Sequence, residues 1–295
     1  MSDVSIGIVY KHSYEPARLE AEKLQGWLEG RGVKVYSEEM SPKGRMNEFS
    51  EDSSITHDNI KCLIVLGGDG TMLGAARKVG RHGVPILGVN LGGLGFLTGI
   101  PLNRLYPCIE MMLNDHLEIE YRLILETKVL REDIEVCRFP TLNDVVINKG
   151  ALARIIDLDV YINNEFLTTF RADGLVISTP TGSTGYNLSA GGPILYPTMS
   201  NVILTPICPF TLTNRPLILP DSVTVSIMMG KESEDKVSLT FDGQVGFELL
   251  HGDKILIYKS ESKIKLFKSP DQTYFEILRT KMMWGGVHYN KNGDD

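Results

Sequence analysis

The chain has 295 residues, of which 42% are hydrophobic and 23% charged, with a net charge of −7. This length predicts about two domains, and the acidic charge argues against nucleic acid or an anionic membrane as partner, because both require a continuous basic face. No apolar run approaches the roughly 18 residues of a membrane span, no signal peptide pattern opens the chain and the four cysteines form no Cys-x-x-Cys pair, so we expect a reducing cytoplasm.

The first hundred residues alternate strand and helix. Apolar periodicity predicts strands over 5–10, 33–36, 62–66 and 85–89, and helices over 15–29 and 71–81. Such alternation predicts an α/β domain over 1–100 with a parallel sheet, whose ligand edge lies at the carboxyl ends of its strands. The polar stretch 41–58 is predicted to be a mobile surface loop.

Residues 101–270 have a different pattern. After a short helix over 103–113, strands are predicted at 123–130, 155–163, 175–178, 223–228, 237–241, 254–258 and 264–267. Closely spaced strands with few helices predict a larger, all-β, sandwich-like domain. Residues 274–284 are predicted to form a final helix.

The segment Gly67-Gly68-Asp69-Gly70-Thr71 directly follows the apolar strand 62–66. Glycines let backbone N–H groups approach an anion, and the positive N-terminal end of the next helix would face the same anion. A carboxylate beside phosphates is electrostatically unfavourable unless it binds a metal or accepts a proton. The segment therefore predicts a phosphate loop that takes part in chemistry.

Other interpretations of this segment exist. Gly-Gly-Asp-Gly is also an ordinary turn sequence. A Rossmann fingerprint fits poorly, because the glycines at 68, 70 and 74 are wrongly spaced and residue 90 is Asn rather than an acid. A Walker loop is excluded because the chain contains no Gly-Lys-Ser or Gly-Lys-Thr, and a serine hydrolase is unsupported because it contains no Gly-x-Ser-x-Gly.

Further motifs follow in order along nearly the whole chain. They are Gly-Gly-Leu-Gly-Phe-Leu-Thr at 92–98, Asn-Asp at 143–144, Asp-Gly at 173–174, Thr-Pro-Thr-Gly-Ser-Thr-Gly-Tyr at 179–186, Ala-Gly-Gly-Pro at 190–193, Arg-Pro-Leu at 215–217 and Asp-Gly-Gln at 242–244. Together with the first loop they resemble the bacterial NAD kinase family. The first loop alone is shared with diacylglycerol and sphingosine kinases, whereas the block over 173–186 is much more specific.

The resemblance implies transfer of a phosphoryl group from ATP, or from polyphosphate, to the 2′-hydroxyl of the adenosine ribose of NAD, giving NADP. Asp69 would be the proton acceptor and would act mainly by alignment in a loose transition state. The donor phosphates would lie on Gly67, Gly68, Gly70 and Thr71. Mg²⁺ would be carried mainly by the donor, because this ion usually keeps its waters and has few protein ligands.

The resemblance also implies a dinucleotide site. Its residues are Asp69, Gly70, Phe96, Asn143, Asp144, Arg154, Arg171, Asp173, Thr184, Gly185, Tyr186, Asn187, Leu188, Ser189 and Gln244. Several have plainer interpretations: Asn143-Asp144 as a turn at a strand entry, Thr184 as a helix cap and Phe96 as core packing. Two positions depart from the family, which usually has Glu at 144 and Ala at 185.

Assembly is also implied by the resemblance. The family forms homo-oligomers, dimers or tetramers, in which β domains pair and a neighbouring chain helps to complete the NAD pocket, and its C-terminal segment, here 271–295, returns to the first domain. Two alternatives remain: a lipid or other small-molecule kinase that shares only the first loop, and a non-catalytic NAD(P)-sensing regulator.

Overall fold

The computed structural model describes residues 5–40, 60–150, 154–229 and 237–284, and the loop predicted over 41–58 lies outside them. The first part alternates strands and helices, as the sequence predicts. Its elements are β1 (Ser5–Lys11), α1 (Glu15–Glu29), β2 (Lys34–Met40), β3 (Ile60–Leu66), α2 (Asp69–Val79), β4 (Ile86–Asn90), β5 (Ile100–Pro101) and α3 (Leu105–Leu113), with 3-10 turns at Gly80–His82 and Leu102–Arg104.

These strands are parallel and lie in the order β2-β1-β3-β4-β5. Strand β3 is buried on both faces because alternate residues face opposite helical layers. Leu63 and Val65 share a core with Met72 of α2, while Ile64 packs with Leu24 of α1. The loops that follow β3 and β4 therefore lie side by side at the carboxyl edge of the sheet.

The remaining elements are mostly strands. They are β6 (Ile119–Arg131), β7 (Ile134–Thr141), β8 (Asp144–Lys149), β9 (Ile156–Ile162), β10 (Glu165–Ala172), β11 (Gly174–Ser178), β12 (Asn201–Ile207), β13 (Leu217–Pro220), β14 (Val225–Met229), β15 (Val237–Phe241), β16 (Val245–Leu249) and β17 (Lys254–Phe267), with a 3-10 turn at Gly182–Thr184, α4 (Tyr186–Ser189) and α5 (Tyr274–Met282).

Two sheets pack face to face in this second part. One has six strands in the order β13-β12-β11-β8-β15-β16, and the other continues the parallel sheet as β10-β9-β14-β17-β4-β3-β1-β2, with β6 and β7 added at β17. Leu266 of β17 pairs in parallel with Ile86 of β4 and joins the two parts. Leu158, Ile177 and Ile257 belong to the core between the sheets. The predicted fold class, an α/β part followed by a larger β-sandwich, is confirmed.

Several predicted boundaries were wrong. Strands β5, β7, β8, β10, β12, β13 and β16 were not predicted, and the segments 254–258 and 264–267 form one strand, β17. Strand β12 contains Pro206. Strand β13 pairs only with residues 201–204, so β12 is an edge at Pro206 and tolerates a missing N–H there.

The last helix, α5, packs against the first part of the chain. Its N-terminus carries a capping box in which Thr273 and Glu276 bond each other's backbone N–H. Ile277 lies 3.6 Å from where a Cβ on Gly99 would stand, between β4 and β5. Of the helices that the structure describes, none has the length and apolar character to cross a bilayer.

Candidate active site

Helix α2 begins at Asp69, two residues earlier than predicted, with Gly68 as its N-cap. The first-turn N–H groups of Asp69, Gly70 and Thr71 have no acceptor within the helix. They lie at the positive end of the helix dipole, at the carboxyl edge of the sheet. This helix end is suited to bind an anion.

Gly67 differs from its predicted role as an amide donor to phosphate. Its N–H donates to the carbonyl of Val89 across the sheet, at 3.0 Å. A Cβ on Gly67 would lie 2.5 Å from Oγ1 of Thr71. Glycine is therefore required here to leave space for Thr71, and the Gly67 amide is occupied.

The carboxylate of Asp69 is held by the second glycine loop. Its Oδ2 accepts from the Phe96 N–H and its Oδ1 from the Leu97 N–H, both at 2.9 Å, and Oγ1 of Thr98 donates to Oδ1 at 3.4 Å. A carboxylate has about four acceptor positions, so these contacts fix its orientation and still leave acceptor capacity. The half-buried Asp69 side chain is thus oriented before any substrate binds.

This contact explains the motif at 92–98. A Cβ on Gly95 would lie 2.2 Å from Oδ1 of Asp69 and from Oγ1 of Thr98, whereas a Cβ on Gly93 would meet nothing within 4 Å. Sequence reasoning assigned a role only to Phe96 of this loop. The roles of the other residues in this loop could have been inferred from the prediction that both glycine loops lie at the same edge of the sheet.

Gln244 reaches the phosphate loop from the β15–β16 hairpin. Its Nε2 donates to the carbonyl of Gly70 at 2.7 Å, and its Oε1 accepts from Nη2 of Arg77. Arg77 lies seven residues after Gly70, on the same face of α2. Its side chain is 5% exposed, and its Nη1 is 3.7 Å from Oδ2 of Asp242. Sequence reasoning missed both Arg77 and Asp242 as site residues.

Asp242 is placed by a tight turn. Asp242 and Gly243 have φ angles of 51° and 63°, and the Gln244 N–H donates to the Phe241 carbonyl at 3.0 Å, as in a type I′ turn. The Asp242 carboxylate accepts from the N–H of Asn143 at 2.7 Å and of Leu142 at 3.4 Å, and its own N–H donates to the Asp144 carbonyl at 2.9 Å. The hairpin turn thereby fixes the backbone of the Asn143-Asp144 motif.

Asp144 and Asp242 form a buried acidic pair. Burial, and then the charge of Asp242, raise the pKa of Asp144 to about 7. Burial also raises the pKa of Asp242, opposed by the Asn143 N–H and by the charge of Arg77. Asp144 therefore changes its charge near neutral pH.

Asn143 and Asp144 flank Gly185. A Cβ on Gly185 would lie 3.7 Å from Oδ2 of Asp144 and 3.8 Å from Nδ2 of Asn143. Among the described residues, the buried Oδ1 of Asn143 has no hydrogen-bond partner, so it is an acceptor free for a ligand. Gly182 must be glycine, because its Cβ would lie 2.2 Å from the Asn143 carbonyl oxygen.

The short helix α4 presents some of the predicted residues and buries another. Tyr186 and Ser189 are exposed three residues apart, on one side of the helix, and Thr184 and Leu188 are half-buried. Asn187 is buried: its Nδ2 donates to the carbonyls of Ser183 at 3.1 Å and Pro193 at 3.0 Å, and its Oδ1 accepts from Oγ1 of Thr205 at 2.7 Å. Its amide group bonds protein groups only, and these bonds connect Ser183, Pro193 and Thr205 to one another through Asn187.

Arg154, Arg171 and Asp173 lie apart from this cluster. Asp173 follows β10 and pairs with Lys149 at 3.1 Å, at the end of β8 opposite Asp144. In the register of β8 and β11, Asp144 pairs with Ser178, which lies five residues after Asp173, so Asp144 and Asp173 are about 17 Å apart at 3.4 Å per residue. Arg171 lies 5.5 Å from the Phe210 ring centre, and Arg154 precedes β9.

Phe96 has a second environment besides the Asp69 contact. It is half-buried and lines a cavity of about 250 Å³ together with Arg122, Tyr196 and Tyr274. Nζ of Lys281 lies 5.9 Å from its ring centre. Both predicted interpretations of Phe96, core packing and a pocket wall, are compatible with this position.

The acidic residues of the site do not form a metal cage. Within the described ranges, no three His, Cys, Asp or Glu side chains group closely enough to hold a metal ion. The oxygens of Asp69 already accept three hydrogen bonds.

The sequence matches two family profiles. The ATP-NAD kinase N-terminal domain matches residues 6–117, and the ATP-NAD kinase C-terminal domain matches residues 142–269. The chain is 49% identical over 281 residues to an NAD kinase from Citrifermentans bemidjiense, covering 94% of this chain and 98% of that protein.

Two solved structures are similar over most of the chain. Yeast NADH kinase complexed with NADH has a TM-score of 0.83 and 26% identity, covering 97% of this chain and 89% of that one. An NAD kinase from Archaeoglobus fulgidus in complex with ATP has a TM-score of 0.73 and 25% identity, covering 95% and 98%. The match of both halves favours neither the lipid kinase nor the non-catalytic alternative.

Proposed function

This chain belongs to the NAD kinase family and is a kinase that phosphorylates NAD, and from that premise we propose how its residues carry out the reaction. The acceptor is the 2′-hydroxyl of the adenosine ribose, and the donor is ATP. In the transfer step the ribose oxygen bonds to the γ-phosphorus, the bond from that phosphorus to the β-phosphate oxygen breaks, and the hydroxyl proton passes to Asp69.

One observation carries this assignment. The Asp69 carboxylate lies at the N-terminus of α2, oriented by the Phe96 and Leu97 amides at 2.9 Å. A carboxylate fixed beside an anion-binding helix end can align a hydroxyl with a phosphate and accept its proton late in a loose transition state. Holding the acid in place before binding removes the need to order it during the reaction.

The donor phosphates lie on the first turn of α2. The N–H groups of Gly70 and Thr71 face them, and Gly68 leaves the approach open, since a Cβ there would meet nothing within 4 Å. Gly67 contributes space rather than an amide. The ATP complex of the Archaeoglobus fulgidus kinase supports ATP as the donor.

The adenosine half of NAD lies between the second glycine loop and α4. Asn143, with its unpartnered buried oxygen, and Asp144 bond polar groups of the nucleotide. Tyr186 offers an exposed ring to stack on a base and a hydroxyl to bond, and Ser189 adds a second hydroxyl on the same side. Asn187 and Gln244 act as positioning residues, because their amides bond protein groups.

A Mg²⁺ ion would bind together with the donor, because this ion usually keeps its waters and takes few protein ligands. When bound, it would neutralise charge that develops on the transferring phosphoryl group. We expect chelation to abolish turnover and to leave the melting temperature nearly unchanged, because a metal that binds with ATP does not stabilise the free fold.

A homo-oligomer explains the separated residues Arg171 and Asp173. Asp173 lies about one strand length from Asp144, at roughly 17 Å, and Arg171 lies two residues before it near the end of β10, so a neighbouring chain would bring both to the dinucleotide. The exposed apolar side chains Phe210 and Leu212, which are 72% and 86% exposed, follow the same end of the sheet and would pack against that chain. A cytoplasmic location fits the four free cysteines.

An assay of NADP formation tests the proposal. Purified protein with NAD, ATP and Mg²⁺ should form NADP at a rate proportional to enzyme, and replacing ATP by polyphosphate measures donor preference. Absence of NADP with every donor would overturn the proposed reaction, whereas turnover with polyphosphate alone would overturn only the choice of donor.

A further inference from the structure

On the basis of the proposed function, we infer that Arg77 is a positioning residue that links the donor half of the site to the dinucleotide half. On one side it holds Gln244 against the carbonyl of Gly70. On the other it pairs with the carboxylate of Asp242, the acid beside Asp144, and neutralises part of its negative charge.

The mechanical link is a chain of two hydrogen bonds. Nη2 of Arg77 donates to Oε1 of Gln244, and Nε2 of Gln244 donates to the Gly70 carbonyl at 2.7 Å. Gly70 follows Asp69 in the first turn of α2, while Gln244 belongs to the hairpin that fixes Asn143. The bridge therefore holds the catalytic turn of α2 at a set distance from the nucleotide-binding backbone.

The electrostatic link is the ion pair between Arg77 and Asp242, with Nη1 and Oδ2 at 3.7 Å and both side chains almost fully buried. Among the described residues, Arg77 is the only cation within salt-bridge distance of Asp242 or Asp144. The other groups that bond Asp242 are uncharged backbone groups of Leu142, Asn143 and Asp144. Without Arg77 the pair should keep a proton to higher pH, because an opposite charge at this distance favours the ionised acid.

A purely structural role for Arg77 is the competing explanation. Arg77 lines a cavity of about 20 Å³ with Thr141, and Nε of Arg77 and Oγ1 of Thr141 have no partner among the described residues. This space suits about one water molecule. Thr141 thus shares the packing of Arg77 but has no recorded bond to Asp242 or Gln244, so Thr141→Val is a matched control.

The test measures kcat and KM for NAD from pH 5.5 to 9 in wild type, Arg77→Met, Arg77→Lys and Thr141→Val. Because Asp144 accepts nucleotide bonds best when ionised, wild type should show a rising limb in kcat/KM with a midpoint near pH 7. Arg77→Met should move this midpoint up by about one unit or more. Arg77→Lys keeps the charge and should leave the midpoint in place, while it raises KM for NAD about tenfold through loss of the Gln244 bond.

Each outcome either supports or overturns the inference about Arg77. An unchanged midpoint in a folded Arg77→Met enzyme, or the same shift in Thr141→Val, would overturn the inference and leave the proposed function standing. If Arg77→Met does not fold by circular dichroism, Arg77→Lys and Gln244→Met carry the test: both should raise KM for NAD with the midpoint unmoved, and unchanged KM in both would overturn the link. Failure of wild type to form NADP would instead defeat the proposed function.

Discussion

The carboxylate of Asp69 occupies the space that a side chain on residue 95 would need, since a Cβ on Gly95 would stand 2.2 Å from Oδ1 of Asp69. The two glycine loops therefore form one unit at the sheet edge. The first supplies the acid and the helix end, and the second supplies the amides that orient the acid.

Gly95→Ala tests this packing. The added methyl group should push the Asp69 carboxylate away from the Phe96 and Leu97 amides and lower kcat about 100-fold, the usual effect of a displacement of about 1 Å in a catalytic group. Gly93→Ala is the matched control in the same loop, because its Cβ meets nothing within 4 Å, and its kcat should stay near wild type. Equal kcat values for the two variants would contradict the packing role.

Asp144 makes stability depend on pH. Its folded pKa of about 7 lies above its ordinary value of 3.8, so the stability this proton contributes is complete below about pH 4 and is lost as the pH rises through 7. The loss is on the order of 4 kcal/mol at most. Asp144→Asn has no carboxyl group to ionise at this position and therefore does not lose this stability as the pH rises. The free energy of unfolding of Asp144→Asn minus that of wild type should therefore increase from pH 5 to pH 8.

Urea unfolding at pH 5, 6.5 and 8 measures that difference. Ser189→Ala is a control, because Ser189 is exposed on α4 and its difference from wild type should not change with pH. A difference between Asp144→Asn and wild type that is constant across the three pH values would contradict the raised pKa.

Asn187 should act on stability. Asn187→Leu would leave the Ser183 and Pro193 carbonyls and the Thr205 hydroxyl without their buried partners, which should lower the free energy of unfolding by about 1–3 kcal/mol. In a double-mutant cycle, Thr205→Val should cost less in the Asn187→Leu background than in wild type. Additive effects would show that the recorded bond at 2.7 Å contributes nothing.

Removing exposed apolar side chains tests the oligomer. Phe210→Asp combined with Leu212→Asp should reduce the assembled mass in light scattering and raise KM for NAD, because Arg171 and Asp173 of a neighbour would be lost from the site. Leu19→Asp, on the exposed face of α1 and 44% exposed, should leave the mass unchanged. A fully active monomer in wild type would contradict this proposal.

The α/β part could be predicted from the sequence because its signals are local. Strand β3 is a continuous apolar run, and α1 carries Ala17, Leu24 and Leu28 on one buried face. Strand β10 was missed because it is a half-exposed edge, with Phe166 and Leu167 facing solvent. The join of the two sheets at Leu266 and Ile86 could not be predicted, because it depends on pairing across 180 residues.

The site residues also divide into those that local sequence predicts and those that depend on contacts between distant segments. Asp69 and its loop were found from residue type and spacing. Gly95, Arg77 and Asp242 were missed because their roles depend on contacts between segments distant in sequence, such as the Arg77 to Asp242 pair. Asn187 was among the predicted dinucleotide residues, but only the structure shows its amide bonded inside the protein.

Turnover of Asp69→Asn tests the central claim most directly. The amide keeps one oxygen for the Leu97 or Phe96 N–H and cannot accept the ribose proton, so kcat for NADP formation should fall by about 10²–10⁴, while the dissociation constant for NAD and the melting temperature stay near wild type. Turnover close to wild type in the purified variant would show that the Asp69 carboxylate is not the proton acceptor.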